Sequence, residues 1–264
     1  MLALARLGRG LVDFLSSMGR VLSFSVPAIV GALATRAGLR ACASQASTIS
    51  LRCAVPVAVA TGPLGALLAL QALTLMRGFG VERQLAPLCV ATIVRELAPG
   101  FAAIVIAMQG GAGIAAELGA MRNSAELDAL EVMGADPRAS VAGPRIIGAA
   151  LAAPIMNALA IACGVLGAFI MAVIVLDVPR ALFLDTALLG LNVLDVWVSE
   201  LKAAVFGIAL GAVCATAGFF AGVGPAGVGR AANKAVVASI IIVLFANYLV
   251  NTAVFGLRSS GVPL

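Results

Sequence analysis

Apolar positions fall into two kinds of pattern along this chain. Over the first two dozen residues, Leu4, Leu7, Leu11, Phe14, Leu15, Met18 and Leu22 recur at steps of three and four, with Arg6, Arg9, Asp13, Ser16 and Arg20 between them. That spacing puts one apolar stripe on a helix with a basic face, and predicts an amphipathic helix lying in a membrane surface. The alternative is a helix of soluble type packed on the protein itself. No continuous apolar run with an early small-residue cleavage site is present, so the segment does not read as a cleavable signal. A basic connector with Arg36, Arg40 and Arg52 is expected next, closing a first region over 1–52.

From 53 to 264 the pattern changes to long apolar stretches at about 54–76, 87–112, 145–176, 195–221 and 235–257. Each approaches the roughly 20 residues needed to cross a bilayer. Pro56, Pro63, Pro99 and Pro154 interrupt helical turns, which membranes tolerate where neighbours resatisfy the backbone. The third stretch is overlong, so part of it is expected to tilt or lie at the surface. No ten-residue alternation of a spanning barrel is visible. The fold class expected is therefore an all-α integral membrane protein, an N-terminal interfacial helix plus five spans.

Composition agrees. Of the 264 residues, 62% are hydrophobic and only 11% charged, against about a quarter charged in soluble domains. The net charge of +5 comes without any basic, aromatic-interleaved stretch, so nucleic acid is not an expected partner. The cations sort by side. The N-terminal segment and the 113–145 and 222–234 loops hold eleven of the 17, against four on the opposite side. The positive-inside rule then places the N-terminus in the cytoplasm and the C-terminus outside. There is no histidine, which removes the commonest metal ligand and the usual neutral-pH base. Five scattered cysteines form no CxxC pair and read as small apolar residues. No metal site, catalytic group or cofactor of its own is expected.

The loop from Gly113 to Arg145 carries five of the twelve acidic residues, Glu117, Glu126, Asp128, Glu131 and Asp136, within twenty positions. Ser124 followed by Leu127, Leu130 and Met133 predicts a short helix, stopped by Gly134 and Pro137. An apolar ridge rimmed by carboxylates suits a groove on a partner protein. A solvated connector would account for the charges but leave the ridge unexplained.

The run Arg95-Glu96-Leu-Ala-Pro99, then Ala116-Glu117-Leu-Gly-Ala-Met-Arg122, then Glu126 through Pro137, then Pro144-Arg145, resembles the MlaE/YrbE permease family. The likeness is strong over about 90–170, and looser from Glu200-Leu-Lys202 to Phe255-Gly256. It implies the permease subunit of an ABC-type lipid transporter associated with MCE proteins, in the cytoplasmic (inner) membrane. A cytoplasmic interfacial helix plus five spans is also what the resemblance implies. So are a coupling helix at about 114–136 docking on a separate ATPase that holds ATP and Mg, and a second permease copy, identical or paralogous. Glu117, Arg122, Glu126, Asp128, Leu130, Glu131, Met133, Gly134 and Asp136 are the coupling residues so implied. The substrate class implied is phospholipid, fatty acid or sterol. Where many members of the family carry Gly-Arg-x-Gly, this chain has Met108-Gln109-Gly110-Gly111, so no cation's role carries over to Gln109. The Ala-rich, Lys-poor composition is similar to the actinobacterial YrbE branch.

No GxxxxGK[ST] run exists, so ATP hydrolysis belongs to another chain if transport is ATP-driven. Arg95 and Glu96 lie about 12–14 Å into the second span, and Glu200 and Lys202 about 8–11 Å into the fourth. Charges there are costly, and adjacent helical residues do not face one another. Cross-helix pairing of Arg95 with Glu200, or of Glu96 with Lys202, is therefore expected, lining a substrate cavity or serving as an interhelical clamp. Ser199, Ala203, Gly207, Gly211 and Ala215 form a small-residue stripe for close packing, within the subunit or across a dimer. Asn157, Asn247 and Asn251 read as interhelical hydrogen-bonding residues. Two other classes compete with the permease reading. An ion-coupled secondary transporter calls for a midplane acid and inverted repeats, neither of which is visible. A non-transporting anchor leaves the in-span charges and the acidic loop helix without a joint purpose.

Overall fold

Thr35 begins the longest helix of the protein, its Oγ1 accepting the Gly38 amide at 3.0 Å. The computed structural model describes the main chain over residues 2–259, and side chains over 16–252 apart from Ser17 and Glu82. Helix α1 spans Leu2–Leu33 and α2 spans Arg36–Phe79. Helix α3 runs Leu85–Asn123, and the short α4 is Glu126–Val132. Then come α5 (Arg138–Val175), α6 (Arg180–Ala187), α7 (Val193–Phe219) and α8 (Pro225–Ser259). Five of these, α2, α3, α5, α7 and α8, are long and apolar enough to cross a membrane. No strand occurs among the described residues. The chain is an all-α, multi-pass membrane protein.

One expectation about the elements changes. The connector expected up to position 52 is the first part of α2, which is continuous for 44 residues. Its Ala-rich sequence has no proline before Pro56, so nothing breaks the helix where Arg36, Arg40 and Arg52 stand. The overlong third stretch is a single helix over Arg138–Val175, and a separate short helix, α6, follows it without having been resolved in the sequence. Phe183 anchors α6, 2% exposed and 5.5 Å from the Phe169 ring.

In α1 the positions from Leu4 to Leu15 lie outside the described side chains. Beyond them, Leu22, Val26, Val30 and Leu33 face outward, all about half exposed or more, while Phe24, Ala28 and Ala32 are buried against the bundle. The outward stripe suits lipid, and the inward face is narrow because α1 presses closely on α5. A Cβ at Gly143 would meet the Ala28 carbonyl oxygen.

Small residues set the remaining contacts. Ser199, Ala203, Gly207, Gly211 and Ala215 are all buried. A Cβ at Gly207 would come 2.6 Å from the Ala149 carbonyl oxygen, and one at Gly211 3.1 Å from Ile146. The stripe therefore packs α7 on α5 within this chain. A tighter seam joins α2 to α5, where Gly65 meets Gly164 and Gly62 meets Gly167 backbone to backbone. Of the five free cysteines, those at 42, 53, 89 and 214 are buried and serve as core residues, and Cys163 is half-buried.

Candidate functional site

Two polar constellations stand at opposite ends of the bundle. At the end away from α4, the helix around Arg95 is locally widened. Ile93–Leu97 forms a π turn, with the Ala98 amide reaching back to the Ile93 carbonyl. Pro99 has no N–H, so the Arg95 carbonyl oxygen loses its usual helical donor. Lys202 of α7 supplies one, its Nζ donating at 2.9 Å. The same ammonium donates to Asn251 Oδ1 at 2.7 Å and to Glu96 Oε1 at 3.5 Å. All three donors of a lysine are thereby used. Glu96 Oε2 in turn accepts from Asn251 at 2.7 Å and Asn247 at 3.3 Å. The Lys202 side chain is 3% exposed, while Glu96 keeps 35%.

Arg95 turns the other way. Its Nη2 donates to Asp195 Oδ2 at 2.6 Å. Glu200, expected as its partner, is not: Asp195, Ser199, Lys202 and Phe206 form the buried i, i+4, i+7, i+11 stripe of α7, and Glu200 stands about 100° off it. Ser199 on that stripe accepts from Asn157 Nδ2 at 2.9 Å. The Nε of Arg95, Asn157 Oδ1 and Glu200 Oε2 are buried without a hydrogen-bond partner. The Glu96–Lys202 pair and the three asparagines thus meet partners across helices, and Asp195 is the member that sequence reasoning missed.

The second constellation surrounds α4. Arg122 at the end of α3 pairs with Asp128 at 2.6 Å. Ala125 adopts φ 60° and Gly134 φ 78°, so left-handed residues bracket the short helix and turn the chain sharply at each side. Ser124 donates to Glu126 Oε1 at 2.7 Å, and Asp136 Oδ1 accepts the Arg138 amide at 2.9 Å. Asn123 ties this corner to the loop after α7, donating to Gly222 O and accepting the Gly224 amide.

The expected ridge of Leu127, Leu130 and Met133 splits. Leu127 is fully buried and anchors α4 to the bundle, and Leu130 is half-buried. The exposed apolar pair is Val132 and Met133, at 89% and 72%. Three residues one turn apart share a face, but that face is partly spent on the protein itself. Around the pair stand Glu126, Asp128 and Glu131, all exposed.

Glu117 lies elsewhere. It bridges Arg52 of α2 at 3.1 Å and Arg145 of α5 at 3.4 Å. Arg145 is 14% exposed in its side chain and also donates to the Val141 carbonyl at 3.0 Å. Glu117 is the one carboxylate that Arg145 meets among the described residues. Replacing Glu117 with Gln is expected to destabilise by about 1–2 kcal/mol, since a half-buried guanidinium loses its counter-charge. Thermal unfolding in detergent, followed by thiol-reactive dye capture of the buried cysteines, checks it. A Tm unchanged from wild type would show the pair to be idle.

No cluster able to hold a metal occurs among the described residues.

Comparison with known proteins agrees with this architecture. The family model described as Permease MlaE matches residues 42–253. A probable ABC transporter permease protein of Rickettsia prowazekii is 33% identical over 248 residues, covering 94% of this chain and 96% of that protein. The intermembrane phospholipid transport system permease protein MlaE of Haemophilus influenzae is 24% identical, over 96% and 97% of the two chains. The chloroplastic protein TRIGALACTOSYLDIACYLGLYCEROL 1 of Arabidopsis thaliana is 29% identical over 67% of this chain and 50% of its own length.

Proposed function

Since the chain belongs to the MlaE permease family, a transporter component rather than an enzyme, we propose that it is the membrane-spanning subunit of an ABC-type lipid transporter of the cytoplasmic membrane. Its substrate is an amphipathic or apolar lipid, a phospholipid before a fatty acid or sterol. Two copies, or this chain and a paralogue, enclose the path, and an MCE protein receives or delivers the lipid on the outer side. The α4 end faces the cytoplasm, which agrees with the weight of Arg and Lys there.

One observation carries the coupling role. In a chain whose relatives are named ABC transporter permeases, α4 presents Val132 and Met133 to solvent among three carboxylates, on a helix anchored by Leu127 and by the Arg122–Asp128 pair. An exposed apolar pair on a braced short helix suits a groove on an ATPase. Bracing matters because a rigid-body motion of the ATPase reaches the spans only through a stiff lever. ATP and Mg are bound by that partner. At the other end, Lys202 clamps α3, α7 and α8, while Arg95 and Glu96, each about a third exposed, are the parts left open towards the outer mouth of the path.

The test is co-purification from native membranes in mild detergent, with partners identified by mass spectrometry. The wild type is expected to retain a Walker-motif ATPase. A Val132→Glu/Met133→Glu double variant should lose it, and ATP-driven lipid transfer in proteoliposomes should fall more than tenfold. Both residues are exposed, so the fold should be kept. If the variant retains the ATPase, α4 is not the docking helix. If the wild type captures none, the ABC reading fails.

A further inference from the structure

A cavity of about 900 Å³ opens at the α4 end, beneath α1. Its walls come from α1, the start of α5, the end of α7 and the start of α8. Four cations line it: Arg20, Arg138, Arg230 and Lys234. No acidic residue does among the described residues. The rest of the wall is mainly apolar and includes the Phe24 and Phe220 rings, with Phe219 packed against both at centroid distances of 4.9 and 5.3 Å.

The cations are placed at a cost. Arg230 and Lys234 are exposed, one helical turn apart on α8, and neither makes an ion pair among the described residues. Like charges at i, i+4 repel rather than stabilise a helix. Arg138 is held at the rim, its guanidinium 5.8 Å from the centre of the Phe24 ring. Arg138, Arg230 and Lys234, none of them in an ion pair among the described residues, converge on one hollow and make a strongly positive recess. A bound anion would relieve that repulsion. Free phosphate would satisfy the charges but would leave an aromatic and aliphatic wall of this size uncovered. A phosphate carried on acyl chains satisfies both.

We propose that this cavity is a binding site for the phosphate-bearing headgroup of a phospholipid from the leaflet at the α4 end. Arg230 and Lys234 bind the phosphate, with Arg20 and Arg138 closing over it, and the acyl chains lie along Phe24, Phe220 and the apolar wall. The site is separate from the Lys202 cluster, at the opposite end of the bundle. It rests on the lipid-transport reading for its place in a transport cycle, though not for binding itself. In that cycle it holds lipid on the side where ATP acts.

Binding of radiolabelled dihexanoyl phosphatidylglycerol to the detergent-purified chain tests it, measured by scintillation proximity without ATPase or ATP. Arg230→Ala/Lys234→Ala should weaken the dissociation constant at least tenfold. Arg230→Lys/Lys234→Arg, which keeps both charges, should restore it, so that loss through misfolding is recognised. Arg83→Ala/Arg180→Ala, at the other end, should leave it unchanged. Dihexanoylglycerol, which lacks phosphate, and inorganic phosphate, which lacks chains, should each compete at least tenfold less well than the unlabelled lipid. Equal binding by the alanine variant overturns the site. Competition by inorganic phosphate as strong as the lipid's overturns the headgroup assignment in favour of a small-anion site. Lipid bound here by a chain that supports no ATP-driven transfer would instead sink the transport reading and leave the site standing.

Discussion

Replacing Lys202 with methionine is expected to destabilise the protein by about 3–5 kcal/mol, the cost of breaking a buried ion pair from one side. The Lys202 side chain is almost fully buried. Removing its ammonium leaves Glu96 held only by Asn247 and Asn251 among the described residues, and takes from the Arg95 carbonyl the side-chain donor that stands in where Pro99 has no N–H. Each of those is a separate penalty in a low-dielectric interior. The drop should appear as a fall in Tm of the order of 10 °C in the thiol-dye assay, where unfolding releases Cys53, Cys89 and Cys214 from the core. Lys202→Met combined with Glu96→Gln should recover part of the loss, since no unpaired carboxylate remains. If the double variant melts no higher than Lys202→Met alone, the charge pair is not what the lysine stabilises.

That cluster shows where sequence reasoning carries and where it stops. The in-span charges stand out because charges are expensive there, and adjacent charges on one helix cannot neutralise each other. The need for cross-helix partners therefore follows from the sequence. Which partner does not. Pairing depends on how α3 and α7 slide against each other, and nothing within either helix fixes that offset. A signal for Asp195 did exist: it shares the i, i+4, i+7 face with Ser199 and Lys202, and a charged residue in phase with a buried lysine is a better candidate than Glu200, which is out of phase.

The same limit governs α4. A three-residue spacing revealed a short helix between Ser124 and Gly134, and the left-handed Gly134 ends it as expected. Periodicity shows that Leu127, Leu130 and Met133 share a face, but not whether that face meets a partner or the chain's own bundle. Here Leu127 takes the inner position, and Val132 gains an exposure no pattern announced. Glu117 was grouped with the loop acids by proximity in sequence, yet it lies on the extended α3 and holds Arg52 and Arg145 together. Helix α3 continues to Asn123, so residues that read as loop are still part of a long helix.

Gly65→Val is expected to be as damaging as the loss of Lys202, for steric reasons. At this point α2 and α5 run antiparallel with their backbones in contact, and a Cβ on Gly65 would overlap the Gly164 carbonyl oxygen. Backbone cannot step aside as a flexible side chain does, so the helices must separate along the whole Gly62–Gly65 and Gly164–Gly167 seam. Overpacking of this kind costs about 1–3 kcal/mol in soluble cores and occasionally more. Here a second element is drawn in. A Cβ at Gly164 would stand only 3.0 Å from Ile93 Cγ2, so α5 presses from behind on the π turn that carries Arg95 and Glu96. Moving α5 disturbs the turn that aims Arg95 at Asp195 and presents its carbonyl to Lys202. Gly65→Val and Lys202→Met should consequently be sub-additive in a double-mutant cycle, because each damages the same cluster. Gly78→Ala on the same helix meets nothing within 4 Å and should leave Tm unchanged or raise it slightly. Simple additivity of the two large effects would show that the glycine seam and the charge cluster are independent. A Gly65→Val protein melting with the wild type would show that α2 and α5 do not approach this closely.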